Sequence, residues 1–220
     1  MTRAQQHTMS SVSYSTKIAM TPLLSKLPPN YLITPEPSVS QPLSKFISHL
    51  ERTLASGIRL VQLRAKTLTE KQYIQLAKEA LACCRHYHAR LLLNAPIDIV
   101  HTVEADGVHL TSTNLMASAT RPLSAEFLVS AACHDVNQVL HANQVSVDLL
   151  TLSPVLPTAT HTTAKPIGWA RFRELTTLTT IPVYALGGIT PDMLSEAHEA
   201  GAYGIAAIRS LWASKSTVMT

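Results

Sequence analysis

The sequence predicts an α/β fold: a closed (β/α)8 barrel forming a single domain behind an N-terminal extension. Three observations lead there. Short apolar runs alternate with stretches of helical spacing, and eight such strands can be counted along the chain. The runs do not alternate polar and apolar residues, as expected of parallel strands covered on both faces. One kind of join also recurs. Ala55-Ser56-Gly57 before Ile58, Ala105-Asp106-Gly107 before Val108 and Ala200-Gly201-Ala202 before Tyr203 each read as a helix end feeding an apolar strand. At 220 residues the chain is shorter than the ~250 typical of such barrels, so an open doubly wound sheet is the alternative.

Residues 1–27 are rich in Ser, Thr, Gln and Met without periodicity and are expected to be a tail or linker. Residues 28–214 are the barrel and 215–220 a short C-terminal tail. Tyr31 to Thr34 is the first strand, stopped by Pro35 and Pro37. Leu43 to Ser56 sets Phe46, Ile47, Leu50 and Leu54 on one helical face and ends at Gly57. Ile58 to Leu63 is a strand, Glu70 to His88 a long helix, and Arg90 to Leu93 a strand. A short helix, Ile97 to Val103, leads to the strand Gly107 to Leu110. Phe127 to Ala132 is the fifth strand, Val136 to Ala142 a helix, and Leu149 to Leu152 the sixth strand. Trp169 to Leu178 is helical. The run Pro182 to Ile189 then reaches Gly187-Gly188, and Thr190-Pro191-Asp192 looks like a helix start. That helix runs to Ala200, and Gly204 to Ile208 is the last strand.

Composition narrows the function. Charged residues make up 15% and hydrophobic ones 46%, which fits a packed core. No apolar run approaches the ~20 residues of a membrane span, and no signal core follows the N-terminus. The three cysteines offer neither a disulfide framework nor zinc spacing, in keeping with a reducing cytoplasm. The net charge is +4, but the 18 basic residues are dispersed without interleaved aromatics, which argues against nucleic acid. A phosphorylated small molecule suits that charge better. A homo-oligomer is left open.

In a parallel barrel the functional groups gather at the C-terminal ends of the strands. Gln62, Arg64 and Lys66 alternate there, so period-two spacing puts them on one face, suited to a phosphate or pyrophosphate. Asn94 ends the third strand, either orienting a ligand or forming a turn. His109 lies within the fourth strand and reads as a hydrogen-bonded core histidine. Cys133 and His134 follow the fifth, where a histidine can move protons near neutral pH. Their side chains should diverge, so no thiolate pair is expected. Thr158, Thr160 and His161 lie in a loop stiffened by Pro154 and Pro157. Gly187, Gly188 and the segment Ile208-Arg209-Ser210 would build an anion seat from the last two loops. Cys83 and Cys84 read as structural. Asp148 begins a strand, at the stability end of the barrel.

Taken in order, several motifs resemble one family. Gln62-Leu63-Arg64-Ala65-Lys66, Asp106-Gly107-Val108-His109-Leu110, Ser153-Pro154-Val155 with Thr158 and Thr160, and Ala185-Leu186-Gly187-Gly188-Ile189 resemble the thiamine phosphate synthase and thiazole tautomerase (TenI) family over Tyr31 to Trp212. Tyr31-Leu32-Ile33-Thr34-Pro35, Cys133-His134-Asp135, Gly168-Trp169 and Ile205-Ala206-Ala207-Ile208-Arg209 carry a narrower likeness to the TenI-like half of Nudix (MutT)–TenI fusion proteins. The resemblance implies a TIM barrel that binds a thiazole phosphate, with a Nudix hydrolase as a candidate partner. In the synthase, an aminopyrimidine pyrophosphate ionises with the help of magnesium and the thiazole nitrogen attacks. In the tautomerase, a histidine assists the proton shift that aromatises a thiazole carboxylate phosphate, and His134 stands at its position.

The chain departs from the synthase pattern. The family's two magnesium-ligand positions carry Ala95 and Asn114. Ala132 replaces a serine, His161 a lysine, and Arg209 a small residue at the phosphate seat. What holds a phosphate is kept, and what ionises a pyrophosphate is altered. The expectation is therefore a TenI-type barrel. A thiamine phosphate synthase, the one case needing Mg2+, is the second reading, and an inactive precursor-binding or partner-supporting module the third.

Overall fold

The computed structural model describes residues 27–38, 40–158 and 165–212. Thr160 and His161 therefore lie outside the described residues. Eight parallel strands close into a barrel in chain order: β1 (Asn30–Ile33), β2 (Leu60–Leu63), β3 (Arg90–Leu93), β4 (Gly107–Leu110), β5 (Leu128–Cys133), β6 (Leu149–Leu152), β7 (Val183–Leu186) and β8 (Gly204–Ala207). Closure comes from β1 against β8, with Tyr31 opposite Ala206. The open-sheet alternative is thus excluded.

Strand periodicity explains how an almost wholly apolar strand serves two cores. Tyr31, Ile33, Leu60, Leu92, Leu128, Leu149, Tyr184 and Ala206 fill the barrel interior. Intervening residues such as Leu32, Val61, Leu91, Leu93, Val129 and Leu150 pack outward beneath the helices. Leu27, placed with the tail by sequence, packs into the interior cluster instead. Its carbonyl accepts the Tyr203 hydroxyl and that of Pro28 accepts Tyr184, which ties the segment before β1 to the last two strands.

The helices are α1 (Leu43–Ala55), α2 (Glu70–His86), α3 (Ile97–Val103), α4 (Ser112–Ala117), α5 (Val136–Val145), α6 (Gly168–Thr176), α7 (Leu194–Glu199) and α8 (Arg209–Trp212). A capping box starts α2: the Thr69 hydroxyl accepts from Gln72 N–H, and the Gln72 side chain accepts from Thr69 N–H. Sequence periodicity does not reveal α4 and α8, because six and four residues are too few for a helical repeat. The helix expected from Pro191 begins as a 3-10 turn, Pro191–Met193, before α7. Thr190 holds the cap position, but its side chain makes no capping bond.

At the N-terminal end of the barrel, carboxylates satisfy strand N–H groups. Asp106 accepts from Leu91 N–H at 2.7 Å, and Asp148 from Val129 N–H at 2.7 Å. Arg121 braces Asp148 at 2.6 Å and also donates to the carbonyls of Leu123, Phe127 and Ser146. Asp148 is thus a structural residue far from the strand C-terminal ends.

Candidate active site

Midway up the barrel the interior turns from apolar to polar. Gln62, His109, Ser130 and Thr151 are buried inward-facing residues one strand repeat above Leu60, Gly107, Leu128 and Leu149. Their layer floors a cavity of about 1110 Å³ at the C-terminal ends of the strands, slightly above the ~300–1,000 Å³ usual for ligand sites.

The cavity gathers most of the residues singled out by sequence: Gln62, Arg64, Lys66, Asn94, His134, Thr158, Gly187, Gly188, Ile208 and Arg209 all line it. Ala95 and Asn114 do not. Asn114 sits in the first turn of α4, where its N–H donates to the Thr111 hydroxyl.

Arg64 and Lys66 stand beyond the end of β2. The Arg64 guanidinium donates to Glu36 at 3.0 Å. Glu36, in the loop after β1, also accepts from the N–H and hydroxyl of Thr67, each at 2.8 Å. Desolvation works against its charge, but hydrogen bonds from Thr67 and Lys66 and the Arg64 cation together hold the carboxyl below its usual range. Sequence reasoning missed Glu36. Its distance of 28 residues from Arg64 gives no local signal. Among the described residues, Lys66 and Arg209 have no ion-pair partner.

His134 follows β5 at the rim. Its Nδ1 lies 2.7 Å from the Ser153 carbonyl, which can only accept, so Nδ1 carries the proton. That leaves Nε2 as the atom through which the ring can take up or deliver a proton. The neighbouring Cys133 is fully buried, and burial followed by the Asp135 charge pushes its thiol up to about 12.

The loops after β7 and β8 form a further part of the wall. Gly187 and Gly188 have φ of 96° and 71°, a region costly for residues with a Cβ. They also underlie the loop after β6, whose Val155 and Leu156 N–H groups donate to the carbonyls of Leu186 and Gly187. A Cβ on Gly187 would come within 2.8 Å of Pro154, and one on Gly188 within 2.7 Å of Leu156 and the Pro157 carbonyl. Packing therefore demands these glycines whether or not an anion binds. The Ser210 hydroxyl donates to the Ile189 carbonyl at 2.8 Å and ties the two loops together. The first N–H groups of α8 have no partner within their own helix, and Arg209 begins that turn.

The donors do not fit a magnesium ion held by carboxylates. Among the described residues, no Asp or Glu lines the cavity. Among the described residues no group of three or more His, Cys, Asp or Glu could hold a metal.

A family model described as "Thiamine monophosphate synthase" matches residues 30–211. The chain belongs to that family. It is 39% identical over 183 residues to a protein of Aquifex aeolicus (strain VF5) named "Putative thiamine-phosphate synthase 2", a match covering 83% of this chain and 97% of the relative. It is 33% identical over 183 residues to a thiamine-phosphate synthase of Methanospirillum hungatei JF-1, covering 82% and 88%. A solved thiamine phosphate pyrophosphorylase from Pyrococcus furiosus superposes with a TM-score of 0.66 over 83% of this chain and 89% of that one. Its 23% identity speaks for the shared fold alone. Among the described residues no helix is long and apolar enough to cross a membrane.

Proposed function

We propose that this barrel binds a thiazole phosphate and transfers a proton on its ring through His134, in the manner of a thiazole tautomerase. The observation that carries the reading is a cavity with cations beyond β2 and β8, no lining carboxylate among the described residues, and a histidine whose one ring nitrogen without a described partner is Nε2. Arg209, Gly188 and the loop after β8 would take the phosphate. Arg64 and Lys66 line the same cavity beyond β2, two strands round the barrel from β8, and suit the carboxylate of a thiazole carboxylate phosphate. His134 Nε2 would remove a ring proton and return one at another ring atom, so the reaction is an isomerisation with no net loss of protons. Mixing the protein with thiazole carboxylate phosphate in deuterated water tests this. Deuterium entering the aromatised product at a rate that depends on His134 is the expected result.

The names of the relatives favour a second reading, a thiamine-phosphate synthase joining an aminopyrimidine pyrophosphate to the thiazole phosphate. Its test is thiamine phosphate formation from both substrates across a magnesium series. The narrower likeness to the Nudix–TenI fusions rests on the stretches quoted above. A Nudix hydrolase encoded beside this chain would support it.

A further inference from the structure

The buried layer under the cavity is a chain of hydrogen bonds with a direction. Asn94 Nδ2 donates to Gln62 Oε1 at 3.5 Å, and Gln62 Nε2 donates to the Tyr31 hydroxyl oxygen at 3.3 Å. Tyr31 has one proton of its own, which it gives to Ser130 Oγ at 3.4 Å. Ser130 Oγ lies 2.9 Å from His109 Nδ1. Ser130 is fully buried, and no other acceptor for its hydroxyl proton is found among the described residues. A serine hydroxyl has a single proton, so in this chain it goes to His109 Nδ1.

We infer that His109 is a ligand-binding residue of the cavity, locked by Ser130 and Tyr31 as the tautomer whose Nε2 carries the proton, and that it donates a hydrogen bond to an acceptor on the bound heterocycle. His109 lines the cavity, and its Nε2 has no protein partner among the described residues. Burial, with the Lys66 charge second, pushes its imidazole down to about 3, so the ring stays neutral where the protein works. The cavity thus holds two histidines of opposite tautomer. His134 keeps its proton on Nδ1 and offers Nε2 for proton transfer, whereas His109 keeps its proton on Nε2 and acts as a fixed donor. The chemical class it selects is a ring nitrogen or a ring carboxylate oxygen. The ligand's being a thiazole rests on the function proposed above. The tautomer does not. Ser130 and Tyr31 act through His109 and are positioning residues.

Long-range proton–nitrogen NMR on the 15N-labelled full chain near neutral pH tests the lock, with the His109 signals assigned from their loss in His109→Gln. Protonated Nε2 and unprotonated Nδ1 are expected at His109, with the reverse at His134. A protonated Nδ1 at His109 means every donor and acceptor in the chain is exchanged, and overturns the inference. Calorimetry with thiazole phosphate and with thiazole carboxylate phosphate then compares wild type with Ser130→Ala. At least one ligand should bind ~10-fold more weakly to the variant, the cost of about one hydrogen bond. The weakened ligand identifies the acceptor: loss for both points to the ring nitrogen, and loss for the carboxylate alone to that group. Equal affinity for both ligands overturns a binding role for His109. If wild type binds neither compound, the proposed function fails while the NMR result still decides the tautomer.

Discussion

At the residue scale, variants of His134 and Arg209 would separate chemistry from binding if the proposed function holds. His134→Gln should lower turnover of the thiazole carboxylate phosphate by ~10²–10⁴ and leave affinity within about twofold, because general acid–base help is lost while the phosphate seat stays. Steady-state rates and calorimetry on the same preparation check this. Arg209→Ala should do the converse, weakening thiazole phosphate binding ~10–100-fold through one lost charge-assisted hydrogen bond. Many of the residues behind these expectations were legible from spacing. Gln62, Arg64 and Lys66 alternate at a strand end, and period two is enough to aim them into one cavity. His109 was legible only in part. Its strand position and its hydrogen bond followed from sequence, but its place on the cavity floor depends on Ser130, 21 residues away on the next strand. Glu36 was invisible for the same reason, since pairing across strands leaves no trace in local periodicity. Thr111, Ser112 and Thr113 also line the cavity. Their signal, a run of hydroxyl residues just after β4, is weak because such runs commonly cap helices.

At the element scale, the loop after β6 lies on the glycine turn after β7, and each fixes the other. Gly188→Ala should destabilise the protein by about 2–4 kcal/mol, combining left-handed backbone cost with a contact against Leu156 and the Pro157 carbonyl. Thermal unfolding without ligand measures it. The same turn was visible in sequence as a glycine pair, but its cause was not. An anion seat and a close loop crossing both call for glycine, and only the structure displays the second. The opposite end of the barrel behaves differently. Arg121→Ala removes four hydrogen bonds, including the partner of Asp148, and should cost about 2–4 kcal/mol. Turnover measured well below the unfolding temperature should stay near wild type. Unequal effects of the two variants on activity would mark which end of each strand carries function.

At the scale of the whole molecule, the eightfold order of strands was readable because each β/α unit repeats the same apolar grammar. Closure was not, since nothing local in Asn30 or Ile205 says that they meet. Burying an uncharged histidine inside the barrel couples the fold to acid. His109 falls from an ordinary 6.5 to about 3 on folding, so between those values the unfolded chain binds more protons than the native one. The contribution of this group to stability is fully present above about pH 6.5 and is lost progressively as pH falls toward 3. Urea unfolding at several pH values should display that loss in wild type and a smaller one in His109→Gln. The contact of β1 with β8 also has a consequence for biosynthesis. The ribosome makes Ile205 about 175 residues after Asn30, so the seam waits until all the intervening strands have been made. Ile208 and Arg209 lie just beyond that final strand. A nascent chain halted before β8 has no sealed wall and lacks the Ile208–Arg209 stretch of the proposed phosphate seat, so capture of a phosphorylated ligand would report closure of that seam.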